Sequence, residues 1–227
     1  DIEHEHKVSN HSCVIHETSG QILRKFDLGI DGISCIPLKK WNTENMPSIS
    51  ARFGSFINNI EMFDASIFSI NSVEAQMMDP QQRLLLDTVK QSITHRICAI
   101  GVFIGCAWIE YSDLTPRSLN ELGSAYSATA SALSVASGRV SFCFDLRGPS
   151  MSIDTACSSS LVAMHLGAKS CNQDECSASL VCGVNLILLS RTTEIFQRAG
   201  MLSRDGRCKT LDSTADGYVR SEGCEVL

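Results

Sequence analysis

The chain has 227 residues, 44% hydrophobic and 19% charged, an ordinary balance for a globular protein long enough to bury a sizeable core. Acidic residues outnumber basic ones 25 to 19, giving a net charge of −6 with no long basic run, which argues against a surface that neutralises nucleic-acid phosphates. The longest purely apolar run, "CAIGVFIGCAWI", falls short of the roughly 18 to 20 residues that span a bilayer, and the polar start "DIEHEHKVSNHSCVIHE" lacks a secretory core.

Taken along the chain, "HEH" at residues 4–6 reads as solvated histidines in a polar terminus, and the missing initial methionine suggests that the sequence starts inside a longer polypeptide. "SGQILRKFDLG" sets Ile22, Leu23 and Phe26 on one face ahead of Gly29, the pattern of a short surface helix with a glycine cap. In "MDPQQRLLLDTVKQSI", Asp79 is a good N-cap and Pro80 suits the first helical position, and Leu85, Val89 and Ile93 recur every four residues as a buried stripe. "AIGVFIG" follows as a fully buried strand. The small-residue run "SATASALSVASGRVSFCF" predicts one helix that lets a neighbour approach closely, and the expected neighbour is the helix after Cys157.

"MSID" alternates like a strand, and "SSSLVAMHLGAKS" sets Leu161, Met164 or His165, and Ala168 at helical spacing. "ASLVCGVNLILL" reads as a long apolar strand, "TTEIFQRAG" as a short helix capped by Gly200, and "SRDGRCKTLDSTADGYVRSEG" as a turn-rich excursion. Strands alternating with helices predict one α/β layered domain whose strands are buried on both faces.

Eleven cysteines form an odd, scattered set without an export signal, so reduced thiols inside the cell, in cytoplasm or an organelle, are expected. Zinc favours close pairs, yet the tightest series is Cys171, Cys176 and Cys182, so no metal is assigned. Cys157 differs from the rest because it lies at a strand-to-helix junction, where free N–H groups and the macrodipole favour negative charge. Its neighbours Thr155, Ala156 and Ser158 to Ser160 are small, leaving room for an acyl group at the sulfur and for backbone N–H groups at a developing oxyanion. Cys98, Cys106, Cys143 and Cys182 lie in apolar runs and read as core. His165 reads as a packed core histidine, and spacing assigns no general base.

"GPSMSIDTACSSSLVAMHL" closely resembles the active-site segment of β-ketoacyl synthases, above all the ketosynthase domains of modular type I polyketide synthases and related fatty acid synthases. The resemblance continues through "FDASIFSINSVEAQMMDPQQRLLLDTV", "GVFIG", "AYSATASALSVASGRVSFCFDLRG", "GVNLIL" and "TEIFQRAGMLSRDGRCKTLDSTADGYVRSEG", and more loosely "LGIDGISCIPLKKWN". It implies a thiolase-like layered α/β fold, of which residues 20–227 are the N-terminal portion, with residues 1–19 poorly matched and the second half not included. It implies that Cys157 accepts an acyl chain from the phosphopantetheine of an acyl carrier protein, with its own N–H as one oxyanion donor and no other cofactor bound. A homodimer and the other domains of a multidomain synthase are the further partners it implies.

In the family, condensation also uses two histidines from "HGTGT"-like and "NIGH"-like motifs, and neither motif occurs among these residues. A truncated, non-condensing paralogue that binds acyl chains, carrier protein or a synthase subunit is therefore the alternative reading. Ser221 replaces a usual glycine in "RSEG", and Glu225 enters a normally apolar strand, where burying an unpaired carboxylate is costly. Arg139, Arg147 and Arg220 are candidates for a basic carrier-docking patch, each set against a structural or solvated role.

Overall fold

The computed structural model describes residues 19–20, 31–46, 48–93, 99–114 and 125–227. Its centre is a five-stranded sheet built from β1 (Ser19–Gly20), β4 (Ile100–Gly105), β5 (Ser150–Ile153), β6 (Ala178–Asn185) and β7 (Gly223–Val226), in the order β1-β7-β6-β4-β5. β4 runs parallel to both β5 and β6, whereas β7 is antiparallel to β6 and to β1. β2 (Ile33–Cys35) and β3 (Phe53–Ser55) form a separate antiparallel pair. Every residue of β4 is buried, as a continuous apolar run between two covered faces requires. The anticipated surface helix after Gly20 lies outside the described residues.

One face of the sheet carries α2 (Pro80–Ser92) and α3 (Leu133–Phe144), with α1 (Ser72–Met77) leading into α2 beside the turn Ser127–Ala130. Val102 and Ile104 of β4, Leu180, Cys182 and Val184 of β6, and Cys224 and Val226 of β7 meet Leu85, Leu86 and Val89 of α2 and Val140 of α3 in the main core. α2 forms as its sequence predicts: the Asp79 carboxylate accepts from the Gln81 N–H at 2.8 Å, Pro80 opens the helix, and Ile93 closes it at the edge of the core.

The small-residue helix differs from expectation in two ways. It is broken: a single turn, Ser127–Ala130, ends at Ser131, the chain extends through Ala132, and α3 begins at Leu133. The carbonyls there are taken by α2, since the Asp79 N–H donates to Ala130 O at 2.8 Å and Gln82 Nε2 reaches Thr129 O at 3.4 Å. Its neighbours are β5, β4 and α2, not the cysteine helix, which lies across the sheet.

That helix, α4 (Ser159–Asn172), packs on the face formed by Phe103 of β4 and Val181 of β6. The spacing of Leu161, Met164 and Ala168 suggested a large apolar stripe, but the buried side of α4 is Ser159, Ala163, Gly167 and Ser170, and Leu161 is 69% exposed. The sheet dictates this choice. A Cβ added to Gly105 would lie 2.6 Å from the Ser160 backbone nitrogen and 2.7 Å from the Ser159 carbonyl carbon, and one added to Gly183 would meet Ser160 Oγ at 2.5 Å. Only small helix residues fit against strands that approach so closely.

Glu225 sits in β7 with Cys224 and Val226 turned to the core and its own side chain on the other face, half-buried. Its cross-strand partners are Gly20 and Gly183, so the two strands beside it leave the carboxylate room. α5 (Ser190–Arg198) follows β6 as expected, Gly200 takes a positive φ of 71° just past it, and residues 201–222 return through turns to β7. Among the described residues no helix is long and apolar enough to cross a membrane.

Gly105→Ala sets a methyl group against backbone that cannot rotate away, so α4 must lift from β4. The expected loss is about 3 kcal/mol in the free energy of urea unfolding, with little change in slope. An unfolding midpoint equal to that of the unmodified chain would contradict the close approach.

Candidate active site

The parallel strands β4, β5 and β6 end on one edge of the sheet, the edge at which open α/β folds bind ligands. The apolar loop after β6 is held there by buried side-chain acceptors. The Leu186 N–H donates to Gln81 Oε1 at 3.1 Å, Ile187 to Glu222 Oε1 at 2.9 Å, and Leu188 and Leu189 to Glu110 Oε2 at 2.7 and 2.6 Å. Four successive backbone donors in an apolar setting are thereby satisfied. Glu222 also accepts from Lys40 Nζ at 2.5 Å and the Ile57 N–H at 3.0 Å. The Arg220 guanidinium lies 3.5 Å from Glu110 Oε1, bonds Thr193 Oγ1 at 2.8 Å and covers the Phe196 ring.

Cys157 stands on the same edge, in a short 3-10 turn, Ala156–Ser158, between β5 and α4. Ala156 adopts φ 55°, a left-handed conformation that costs a non-glycine residue roughly 1–2 kcal/mol. Hydrogen bonds hold this elbow. The Ala156 N–H donates to Asp154 Oδ1 at 2.9 Å, and buried Ser159 uses its hydroxyl twice, accepting from the Thr155 N–H at 3.0 Å and donating to Ala156 O at 2.7 Å. Ser158 Oγ bonds Thr155 O at 2.9 Å and Thr155 Oγ1 at 3.0 Å, and so does not cap α4. The Cys157 side chain is exposed. Burial disfavours ionisation of the Tyr218 phenol, the Arg220 guanidinium partly offsets this, and a charge on Cys157 would add to it.

The other thiols divide by burial. Cys106, Cys182 and Cys224 are buried; burial pushes the Cys106 and Cys224 thiols up to about 12 and raises Cys182 well above the ordinary value. Cys143 is half-buried and also raised by burial, whereas Cys35 and Cys208 are exposed; Cys98 lies outside the described residues. Among the described residues no group of three or more His, Cys, Asp or Glu side chains converges as a metal site.

His165 corrects the sequence reading. It is exposed on α4, one turn beyond exposed Leu161, because the buried side of the helix is the small-residue side. The arginines separate too. Arg139 is buried against Glu74 Oε1 at 2.6 Å and Gln82 Oε1 at 2.7 Å, and Arg220 is buried as described, so both are structural. Only Arg147, paired with Asp145 at 3.3 Å, is on the surface. Glu110, Glu222 and Ser159 escaped the sequence reading because their partners are backbone groups far along the chain or hydroxyl contacts within one turn.

A match to the family model "Beta-ketoacyl synthase, N-terminal domain" extends over residues 17–227. The chain belongs to the β-ketoacyl synthase family. It is 39% identical over 211 residues to a component of the phenolphthiocerol/phthiocerol polyketide synthase of Mycobacterium tuberculosis, covering 86% of this chain and 11% of that one. It is 41% identical over 211 residues to the probable polyketide synthase 1 of Dictyostelium discoideum, covering 88% of this chain and 7% of that one. Among solved structures it resembles a ketosynthase of the bacillaene synthase of Bacillus subtilis, with TM-score 0.82 and 28% identity over 92% of this chain and 38% of that one. The oxazolomycin ketosynthase domain of Streptomyces albus matches with TM-score 0.80 and 30% identity over 91% of this chain and 38% of that one. The fold of this β-ketoacyl synthase chain is accordingly the layered, thiolase-like α/β fold that its motifs suggested.

On the opposite face of the sheet from α4, this synthase chain has a small hollow bordered by Asp79, Gln82, Leu85, Cys106 and Ala136; Cys157 is not among its walls. Asp79 Oδ2 is buried there without a hydrogen-bond partner, and burial raises the Asp79 pKa to about 6. The folded state therefore holds this proton more tightly than the unfolded chain, whose reference is 3.8, and stability contributed by the protonated form is lost as pH rises from about 4 to above 6. The loss is on the order of 3 kcal/mol. Asp79→Asn keeps the cap on Gln81 and carries no charge, so urea unfolding at pH 5 and pH 7.5 should show a smaller fall in stability for the variant than for the unmodified chain. Equal falls would contradict the assignment.

Proposed function

We propose that this chain supplies the acyl-accepting part of a β-ketoacyl synthase in polyketide or fatty acid biosynthesis, with Cys157 as the nucleophile. The observation that carries the reading is an exposed thiol on a left-handed elbow at the C-terminal edge of the sheet, within a segment resembling the ketosynthase active site. The Cys157 thiolate attacks the carbonyl carbon of an acyl thioester borne by the phosphopantetheine of an acyl carrier protein. The bond between the acyl carbonyl carbon and the pantetheine sulfur breaks, the pantetheine thiolate leaves and takes up a proton, and the acyl chain is held on Cys157. The Cys157 N–H is one donor to the oxyanion of the tetrahedral intermediate.

In the second half-reaction a malonyl-type thioester loses carbon dioxide, and the resulting carbanion equivalent attacks the Cys157 thioester. The sulfur departs as thiolate, leaving a β-ketoacyl thioester two backbone carbons longer. The family's two histidines serve this step, in a further segment that residues 20–227 adjoin in the working enzyme. Partners in this reading are the carrier protein, a second copy of the synthase and the other domains of a multidomain synthase. The work is done inside the cell, where thiols stay reduced. The relatives are named as polyketide synthases, which favours this reading over a non-condensing paralogue.

The test uses the native polypeptide with an acyl carrier thioester and a malonyl carrier thioester. β-Ketoacyl thioester should form, and Cys157→Ala should abolish both it and the covalent acyl-protein intermediate while leaving the free energy of urea unfolding within about 1 kcal/mol. Undiminished product from Cys157→Ala would overturn the assignment.

A further inference from the structure

Two thiols remote from the elbow face one another. Cys171 lies in the last turn of α4 and Cys176 just before β6, and their Sγ atoms are 3.8 Å apart. The turn between them is a tightly specified helix ending. Asp174 takes φ 56°, its N–H donates to Cys171 O at 3.2 Å, and the Glu175 N–H donates to Ser170 O at 3.0 Å, the pairing of a Schellman motif. Ser170 Oγ also donates to the Glu175 carboxylate. This bonding folds the chain back so that the second sulfur lies over the first.

The surroundings give the two sulfurs different properties. Cys176 is only 6% exposed, packed against Gly101, where an added Cβ would lie 3.2 Å from its Sγ. Burial, and then the neighbouring Cys171, push the Cys176 thiol up to about 11. Cys171 is half-buried, more open to solvent than Cys176.

We propose that Cys171 and Cys176 form a reversible dithiol–disulfide site whose oxidising substrate is a hydroperoxide. The Cys171 thiolate attacks the peroxide oxygen, the O–O bond breaks, and Cys171 becomes a sulfenic acid while the departing hydroxide or alkoxide takes up a proton. Cys176 sulfur then attacks the Cys171 sulfur, an S–S bond forms, the S–O bond breaks, and the Cys176 proton leaves with the oxygen as water. Each sulfur gives up one electron, the peroxide takes up both, and an exogenous dithiol reverses the change. Closing the gap from 3.8 Å to the roughly 2.05 Å of a disulfide is a movement of about 2 Å by side chains on a short turn. The bond ties the C-terminal end of α4 to the entry of β6 at the opposite end of the helix from Cys157.

The test treats the native polypeptide with a small excess of hydrogen peroxide, alkylates accessible thiols before unfolding, alkylates the rest with a distinct reagent afterwards, and cleaves after Glu175. The expected result is that the fragments bearing Cys171 and Cys176 stay joined until a dithiol is added. Cys182 and Cys224 should take only the second reagent, which certifies that the protein was folded. Cys171→Ser and Cys176→Ser, each with an unchanged urea midpoint, should both abolish the joined species. Separate fragments, with Cys171 recovered alkylated or as a sulfinic acid, would overturn the proposal, as would either cysteine bonded to a different partner.

Discussion

The position of the Cys157 sulfur depends on how closely α4 can lie against the sheet. Gly105 and Gly183 occupy neighbouring strands at the same level, paired in register, and the first turn of α4 rests on both. With no Cβ on either strand, the backbone of Ser159 and Ser160 comes down to the strand ends. The elbow that precedes it must then turn sharply between Ile153 and Ser159. The left-handed Ala156 is a consequence: within so few residues the chain has to leave the sheet, expose Cys157 and enter a helix already seated on the glycines. Strain of this kind persists only where surrounding bonds over-determine it, and the Ser159 hydroxyl and Asp154 carboxylate supply those bonds.

The other side of the site is fixed by a different device. A loop as apolar as Leu186–Leu189 would leave backbone donors stranded in the interior, and Gln81, Glu222 and Glu110 collect them from three distant parts of the chain. Charged acceptors make stronger bonds than neutral ones, and the Glu222 and Glu110 carboxylates are in turn matched by Lys40 and Arg220. Such buried pairs contribute little net stability because both ions lose their hydration. Their effect is positional: the strand exits after β4, β6 and the return to β7 are joined to one another on the sheet edge that also carries Cys157.

Much of this was legible in the sequence, wherever a local rule and the tertiary environment agreed. Asp79, Pro80 and the four-residue recurrence from Leu85 specify α2 by capping and burial together, and the run Ile100–Gly105 had no exposed position to explain. The strand, cysteine, helix order at Cys157 was visible because its residues are local. What failed was decided elsewhere in space. The run from Ser127 has the composition of one helix, yet its carbonyls at Thr129 and Ala130 find donors on α2, and the helix stops and restarts. On α4 the larger side chains Leu161 and His165 look outward because the first turn is seated on Gly105 and Gly183, which leaves Ala163 and Gly167 facing Phe103 and Val181 of the sheet. Arg139 and Arg220 carry charge that suggests a surface, and only their buried carboxylate and amide partners reveal otherwise.

Under the proposed function, elbow geometry, and not thiol exposure alone, makes Cys157 the acyl acceptor. Cys35 and Cys208 are exposed as well, and so serve as internal references. The decisive measurement is peptide mapping of the native polypeptide after brief reaction with a limiting acyl-pantetheine thioester. The expected result is acylation of the peptide containing Cys157 at a rate at least about 100-fold above either reference, the scale of effect that positioned backbone donors provide. Comparable acylation of Cys157, Cys35 and Cys208 would contradict it.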